Sequence, residues 1–540
     1  MKKIIFIIAI LLITVLGVAW LYFKNLSPES KGSGKILSMI PDDAAMVFEY
    51  KNEKSFYEIF SEFTLFKIVI GENNFHRLQN LKDVFINDPQ IAASLDKSNL
   101  FFSLHTVVAN QADFLMVAAL SPVYNQENSP ADFVKSMGNK YTIKSSVFNK
   151  QEIFNVALKN NVFFNFVIYQ SVLIGSFDES LLKRTIVNLE SKAKTPKNFF
   201  ETETPRNKNS IANLFINFVK LPLLLNNFSR YKNPVNTSCL KNFNAFASLN
   251  INYQSDAFMF SGVTVPDTVE SQYANLFLHQ EPGKLSLNAM LPIDVASYCM
   301  FYVSTPKRFM HDLHQQYKQQ NDYLNLKDGI ETISKKHSVN VEAEFSNIFG
   351  NEFGVAELAS GEKMGFIKTV NAQRISFLLS VISTEVEPNI RRFDDSNVLY
   401  YFLGEPFKDF RKPYFSIVNN CLVISNSAQA IRGFLQNYDR QNLLSLSENY
   451  THFQQFLSNQ GNIFYFLHNK NSKSIIERFL SSDANQAFKS KNFQYQNIYG
   501  LSIQFSANRN KFYTNLYMNI LDNPKKLPEQ PDSLYMDYLK

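Results

Sequence analysis

The strongest constraint on this chain is that it is written twice. IPDDAAMVFEY at residues 40–50 returns as LPIDVASYCMFY at 291–302, placing Pro41 and Pro292 251 residues apart (292 − 41). In each copy an aspartate, Asp43 or Asp294, follows two residues after the proline, and a β-rich run comes next. Proline fixes φ in a turn, and the carboxylate is placed to cap a backbone N–H before the strand begins. Three further pairs keep the same order. FFNFVIYQSVLIGSFDESLLKRTI at 163–186 faces PYFSIVNNCLVISNSAQAIRGFL at 413–435, with Ser171 set against Cys421; NLFINF at 213–218 faces NIFYFL at 462–467, and LNINYQ at 249–254 faces LSIQFS at 501–506. Ordered matches at a nearly constant offset imply tandem duplication of one folding unit.

The repeat sets the expected boundaries: a unit at 39–266, a joining segment at 267–283, a second unit at 284–521 and a proline-containing tail at 522–540. Within each unit, short strands outnumber helices. Ser176 and Asp178 in one copy, and Ser425 to Ser427 in the other, are expected to cap a helix that follows a strand–turn–strand. Ala247–Tyr253 with Ala257–Val263, and Tyr499–Phe505 with Lys511–Leu516, read as hairpins. The fold class expected is α+β: a tandem duplication of a mostly antiparallel sheet unit with helices packed on one face, preceded by one N-terminal transmembrane helix. Phe166, Ile168, Val172 and Ile174, with Ile417, Leu422 and Ile424, are the expected core strand positions.

Ahead of the units, Lys2 and Lys3 precede an apolar run from Ile4 to Phe23. As a helix, its 20 residues span about 30 Å, the hydrocarbon thickness of a bilayer. The lysines place that end in the cytoplasm, and Trp20, Tyr22 and Phe23 form an aromatic belt at the far interface. Residues 1–24 are therefore read as an anchor, with the body in the periplasm. The rival is a signal peptide cleaved after Gly17-Val18-Ala19, and the chain argues against it by staying apolar past Ala19. Residues 25–38 read as a Gly/Ser linker. In it, Gly34-Lys35 lacks the remainder of a phosphate loop.

The layout of anchor, linker and IPDDAAMVFEYKN resembles the start of an uncharacterised family of membrane-anchored bacterial cell-envelope proteins, a domain-of-unknown-function family. The resemblance rests on residues 36–60 and the overall layout. It implies an exported bacterial protein and brings no catalytic residues with it.

Hydrophobic residues make up 45% of the chain and charged residues 19%, which is globular rather than disordered. Lys+Arg number 54 against 48 Asp+Glu, and the positives are dispersed, so nucleic acid is not an expected partner. The three cysteines, Cys239, Cys299 and Cys421, make neither a metal motif nor a disulfide framework. Cys299 and Cys421 fall in apolar strand runs and read as small buried hydrophobes, unless an oxidising compartment joins them.

Candidate chemistry is sparse. His311 and His314 lie one helical turn apart, two imidazoles without a third ligand. Ser94–Lys97 and Ser304–Lys307 have the SxxK spacing of penicillin-binding enzymes, but neither SDN nor KTG follows. His105 and His468 each end an apolar run and read as strand-end residues. Asn227 and Asn236 head glycosylation sequons that a bacterial envelope protein has no need to use. No residue is assigned a catalytic, cofactor-binding or metal-ligating role, and no cofactor is expected. Two readings remain. One is a non-enzymatic binding or scaffolding module, inner-membrane-anchored through residues 4–23, with an envelope protein as partner. The other is an exported hydrolase, or a lipid- or peptide-handling protein, with a pocket between the two units.

Overall fold

The computed structural model describes residues 36–51, 72–85, 87–107, 112–121, 130–138, 140–191, 212–231, 242–254, 257–269, 271–489 and 497–520. The expected anchor, most of the linker and the tail lie outside these residues. Among the described residues no helix is long and apolar enough to cross a membrane. The fold is α+β, built on antiparallel strand pairing. The chain forms two compact units: Met1–Glu58 with His76–Phe228 and Ala245–Ile251, and Ile59–Phe75 with Ser229–Asn244 and Asn252–Lys540.

The strands of the first unit are β1 (Met46–Lys51), β2 (Leu95–Thr106), β3 (Ala112–Leu120), β4 (Ile143–Phe148), β5 (Gln151–Ala157), β6 (Phe163–Tyr169), β7 (Val172–Ser176), β8 (Ala212–Asn217) and β9 (Ala245–Gln254, of which Ala245–Ile251 belongs here). Antiparallel pairing sets them in the order β4-β5-β6-β7-β3-β2-β1-β8-β9. The helices are α1 (Glu72–Phe85, from His76 in this unit), α2 (Pro89–Ser94), α3 (Pro130–Gly138), α4 (Glu179–Glu190) and α5 (Leu221–Asn226).

The second unit holds β10 (Ala257–Pro266), β11 (Val295–Tyr302), β12 (Phe349–Leu358), β13 (Lys363–Thr369), β14 (Ser383–Glu387), β15 (Ile390–Phe393), β16 (Tyr414–Val418), β17 (Cys421–Ser425), β18 (Ile463–His468), β19 (Ile498–Asn508) and β20 (Lys511–Ile520). Its order is β14-β15-β16-β17-β13-β12-β11-β18-β19-β20-β10. The sequence reading grouped residues up to 266 with the first unit, whereas β10 clusters with the second and pairs along β20. Its helices are α6 (Pro306–Gln319), α7 (Tyr323–His337), α8 (Val341–Ser346), α9 (Ala372–Val381), α10 (Val398–Leu403), α11 (Ala428–Asp439), α12 (Glu448–Gln454), α13 (Asn469–Phe479) and α14 (Ser482–Lys489).

Nine strands follow one order in both units, and the agreement extends to single hydrogen bonds. Ser176 Oγ donates to the Phe114 carbonyl and accepts from the Asp178 N–H. Ser425 Oγ does the same with Lys363 and Ser427. Asp178 then caps α4 by accepting from the Leu181 N–H, and Ser427 caps α11 from Ala430. The register does correct one sequence match. The β6–β7 turn uses Gln170 and Ser171, and the β16–β17 turn uses Asn419 and Asn420, all at positive φ. The two-residue turn therefore sets Val172, not Ser171, in the place of Cys421, 249 residues on.

Packing differs between the units within this shared strand order. Gly175 on β7 lies opposite Met116, whereas at the same place Ile424 lies opposite Gly365. Large and small have changed strands, and a Cβ on Gly175 would sit 2.4 Å from the Phe164 ring. The first core gathers Leu37, Val47, Phe101, Leu115, Ile174 and Leu181; the second gathers Met300, Phe366, Val423, Tyr450 and Phe466. Of the expected core positions, Phe166, Val172, Ile174, Leu422 and Ile424 are buried, while Ile168 and Ile417 are only half-buried.

Candidate functional site

The most organised polar cluster lies where the described chain enters its first strand. The Pro41 carbonyl accepts from the Ala44 N–H at 3.1 Å, closing the turn the proline predicts. Ala45 is then held on both sides, donating to Leu104 O at 3.0 Å and accepting from the Asn217 N–H at 2.9 Å. On β2, Ser103 and His105 are two residues apart and so share one face of the strand. Both are wholly buried. His105 Nδ1 lies 2.8 Å from Asp43 Oδ1, and His105 Nε2 lies 2.8 Å from Ser103 Oγ. An ionised carboxylate only accepts, so Nδ1 carries the proton toward Asp43. Arg184, from α4, reaches the other Asp43 oxygen at 3.0 Å and the Thr106 carbonyl at 3.0 Å. Asn227, just past α5, donates to Thr106 Oγ1 at 3.1 Å.

The electrostatics follow from these contacts. Burial raises the Asp43 pKa, but the hydrogen bond from His105 and the charges of His105 and Arg184 outweigh it and hold the carboxyl below its ordinary value. Its neighbour Asp42 moves the other way, raised by burial and by the Asp43 charge. The sequence identified Asp43 beside its proline and expected a turn cap. The carboxylate takes a backbone hydrogen bond there and also reaches 62 residues along the chain to His105.

Asp43, His105 and Ser103 have the connectivity of an acyl-transfer triad. Accessibility decides what that connectivity can do. Ser103 and His105 expose no surface to an incoming carbonyl. Strand β2 is paired on both sides, with β1 and β3, so its amides are spent in the ladder rather than free to stabilise an oxyanion. The corresponding place in the second unit is apolar. Val47 faces Ser103, and Tyr298 faces Ala356; two residues on, His105 gives way to Leu358, and by the helix offset Arg184 gives way to Gly433. Asp294 alone remains, its Oδ1 without a hydrogen-bond partner and its pKa raised by burial.

The other clusters are already internally satisfied. A cleft of about 380 Å³ in the first unit is lined by Asp83, Asp88, Lys140, Tyr141 and Lys159. Each carboxylate in it faces a lysine, Asp83 with Lys159 at 2.8 Å and Asp88 with Lys140 at 2.5 Å. In the second unit Lys368 lies 2.7 Å from Ser286 Oγ, but it also ion-pairs with buried Glu352 at 2.6 Å. Glu352 accepts from the Ser286 and Leu287 N–H groups as well, which staples this loop to β12.

The residues singled out in the sequence do not converge. His314, on α6, lies tilted against the Tyr401 ring and bonds the Tyr401 carbonyl at 3.2 Å, and burial lowers its pKa; His311 is exposed on the same helix. Among the described residues no group of three metal-ligating side chains occurs. Ser94 ends α2 and Lys97 lies in β2, so no helical turn joins them. Ser304 precedes α6 and donates to Gln280. His468 ends β18 and caps α13 by accepting from the Asn471 N–H at 3.3 Å. Cys299 is disulfide-bonded, whereas Cys421 is a free buried thiol pushed up to about 12 by burial, so the two do not pair with each other; Cys239 lies outside the described residues. No family model, curated protein or solved structure matches the chain.

Proposed function

We propose that this is a non-enzymatic, inner-membrane-anchored envelope protein, a member of the anchored family its N-terminus resembles, acting as a binding or scaffolding module on the exported side. It is a tandem duplication of one α+β unit, and its partner is another envelope protein. The burial of Ser103 and His105 carries this reading: the described arrangement closest to a nucleophile is sealed inside a sheet. There it works as a clamp. It ties the turn that follows the linker to β2, α4 and, through Thr106 and Asn227, the end of α5. Such a tie suits a body tethered at its N-terminus, because any pull on the tether arrives at residues 36–45.

Two further observations support the proposal. The repeated strand order, with the same Ser–carbonyl bond and a cap at the same helix position, supports duplication. The Cys299 disulfide supports an oxidising compartment. A fluorophosphonate probe applied to the full chain in membranes tests the non-enzymatic reading. No adduct on Ser103 or any other serine is expected, and a stoichiometric serine adduct would overturn it.

A further inference from the structure

The strand that heads the order of each unit is an edge, and the two edges are finished differently. In the second unit β14 is broken by a bulge between Glu385 and Glu387. Both carboxylates are also held by arginines, Glu385 by Arg391 at 3.2 Å and Glu387 by Arg432 at 3.0 Å. Bulges and charges are what keep an edge strand from pairing with another chain. In the first unit β4 runs beside β5 in unbroken register from Ile143 to Phe148. Its sequence, IKSSVF, carries a single charge, Lys144, and Val147 is 76% exposed.

The turn after β4 decides which of its backbone groups are free. Asn149 and Lys150 form a two-residue turn at positive φ, so Phe148 and Gln151 exchange hydrogen bonds across it. The exchange recurs at every second residue. Thr142 keeps the phase, its carbonyl accepting from the Ala157 N–H at 3.0 Å. The even-numbered residues therefore bond to β5, and Ile143, Ser145 and Val147 turn their N–H and carbonyl groups outward along one edge. Among the described residues no strand lies beyond them, and residues 144–147 are exposed.

We propose that this edge pairs with the same edge of a second copy of the chain, antiparallel across a two-fold axis at Ser145. Such an axis sets Ser145 against its own counterpart and Ile143 against Val147. All three outward residues of each strand then find partners, closing about six hydrogen bonds. An axis at Lys144 or Ser146 would pair only two of the three, and the first would also set lysine against lysine. At Ser145 the one charge, Lys144, lies opposite Ser146, and the exposed Val147 meets an apolar residue. The edge is complementary to itself in hydrogen bonding, charge and apolar contact at one register, which is why the occupant is a second copy. This inference is independent of the anchored reading.

The test uses the full chain carrying Ser145→Cys at high concentration under a mild oxidant, read on non-reducing gels with peptide mass spectrometry. At the axis the paired Cα atoms lie about 5.5 Å apart, within reach of a disulfide; for Val147→Cys the two Cα atoms are about 14 Å apart and out of reach. The native free thiol, Cys421, is buried. The expected result is a dimer joined through the Ser145→Cys position and none joined through Val147→Cys. Adding Ser146→Lys, which faces Lys144, should lower the Ser145→Cys dimer about two- to thirtyfold below saturation, and Ser146→Glu should raise it. Ser146 is exposed, so neither charge enters the core. Absence of a dimer, equal yields at the two cysteine positions, or a yield indifferent to the charge at 146 would each overturn the proposal. So would a dimer joined through Cys239 or Cys299 instead.

Discussion

Replacing Asp43 by alanine should weaken the first unit by about 2–3 kcal/mol, most of it through His105. The buried imidazole would keep its Nδ1–H and lose the acceptor 2.8 Å away. An unsatisfied buried donor costs about 1–3 kcal/mol. The Arg184 contact adds less, because both side chains are 39% exposed and a pair so solvated is worth about 0–1 kcal/mol. The informative comparison is Ser103→Ala with His105→Leu, which gives the first unit the residues the second carries as Ala356 and Leu358. That variant removes the buried donor itself, together with its Ser103 partner, and leaves the part-exposed Asp43 to Arg184, so it should cost less than about 1 kcal/mol. A two-unit chain does not melt as one transition. The assay is therefore native-state hydrogen exchange by mass spectrometry, read on peptides covering β1 and β2. A loss below about 0.5 kcal/mol for Asp43→Ala, or an equal loss in the apolar variant, would refute the view that a buried donor is what the carboxylate serves.

The two aspartates of the repeat should respond to pH with opposite signs. Asp43 has a depressed folded pKa, so its contribution is complete above the ordinary aspartate value of 3.8 and fades as pH falls through the lowered pKa. Asp294 has a raised one, so its ionised form opposes folding, and Asp294→Asn should stabilise the second unit at neutral pH and lose that effect below 3.8; hydrogen exchange on β11 across pH reads both the sign and the window. Leu422→Ala should cost about 2–5 kcal/mol by exchange on β17, since the side chain is fully buried. Cys421 should resist a thiol reagent in the native chain at pH 8 and react once denatured, because burial pushes its pKa to about 12.

The parts of the fold that local chemistry determines were legible in the chain. Pro41 and Pro292 announce turns, Asp178 and Ser427 announce caps, and the alternation at Phe166 and Ile174 announces buried strands. The one-residue slip at Ser171 arose because VLIGS and LVISN look alike when slid past one another. What fixes the alignment is backbone conformation in the turns, where Gln170-Ser171 and Asn419-Asn420 take positive φ. The clamp was half legible. Asp43 was visible beside its proline, and Ser103 with His105 shows the alternation that puts two polar groups on one strand face. That they meet depends on β1 lying against β2 in one register, a pairing that reaches across some fifty residues between the two strands and leaves no local signature. Arg184 gave no signal beyond its place on α4.

The most direct test of the anchored reading is the N-terminus of the native protein. Mass spectrometry of the chain extracted from the membrane fraction should recover peptides covering residues 1–24, with residues 39–540 open to protease from the periplasmic side. A mature chain beginning at Trp20 and released in the soluble fraction would contradict it.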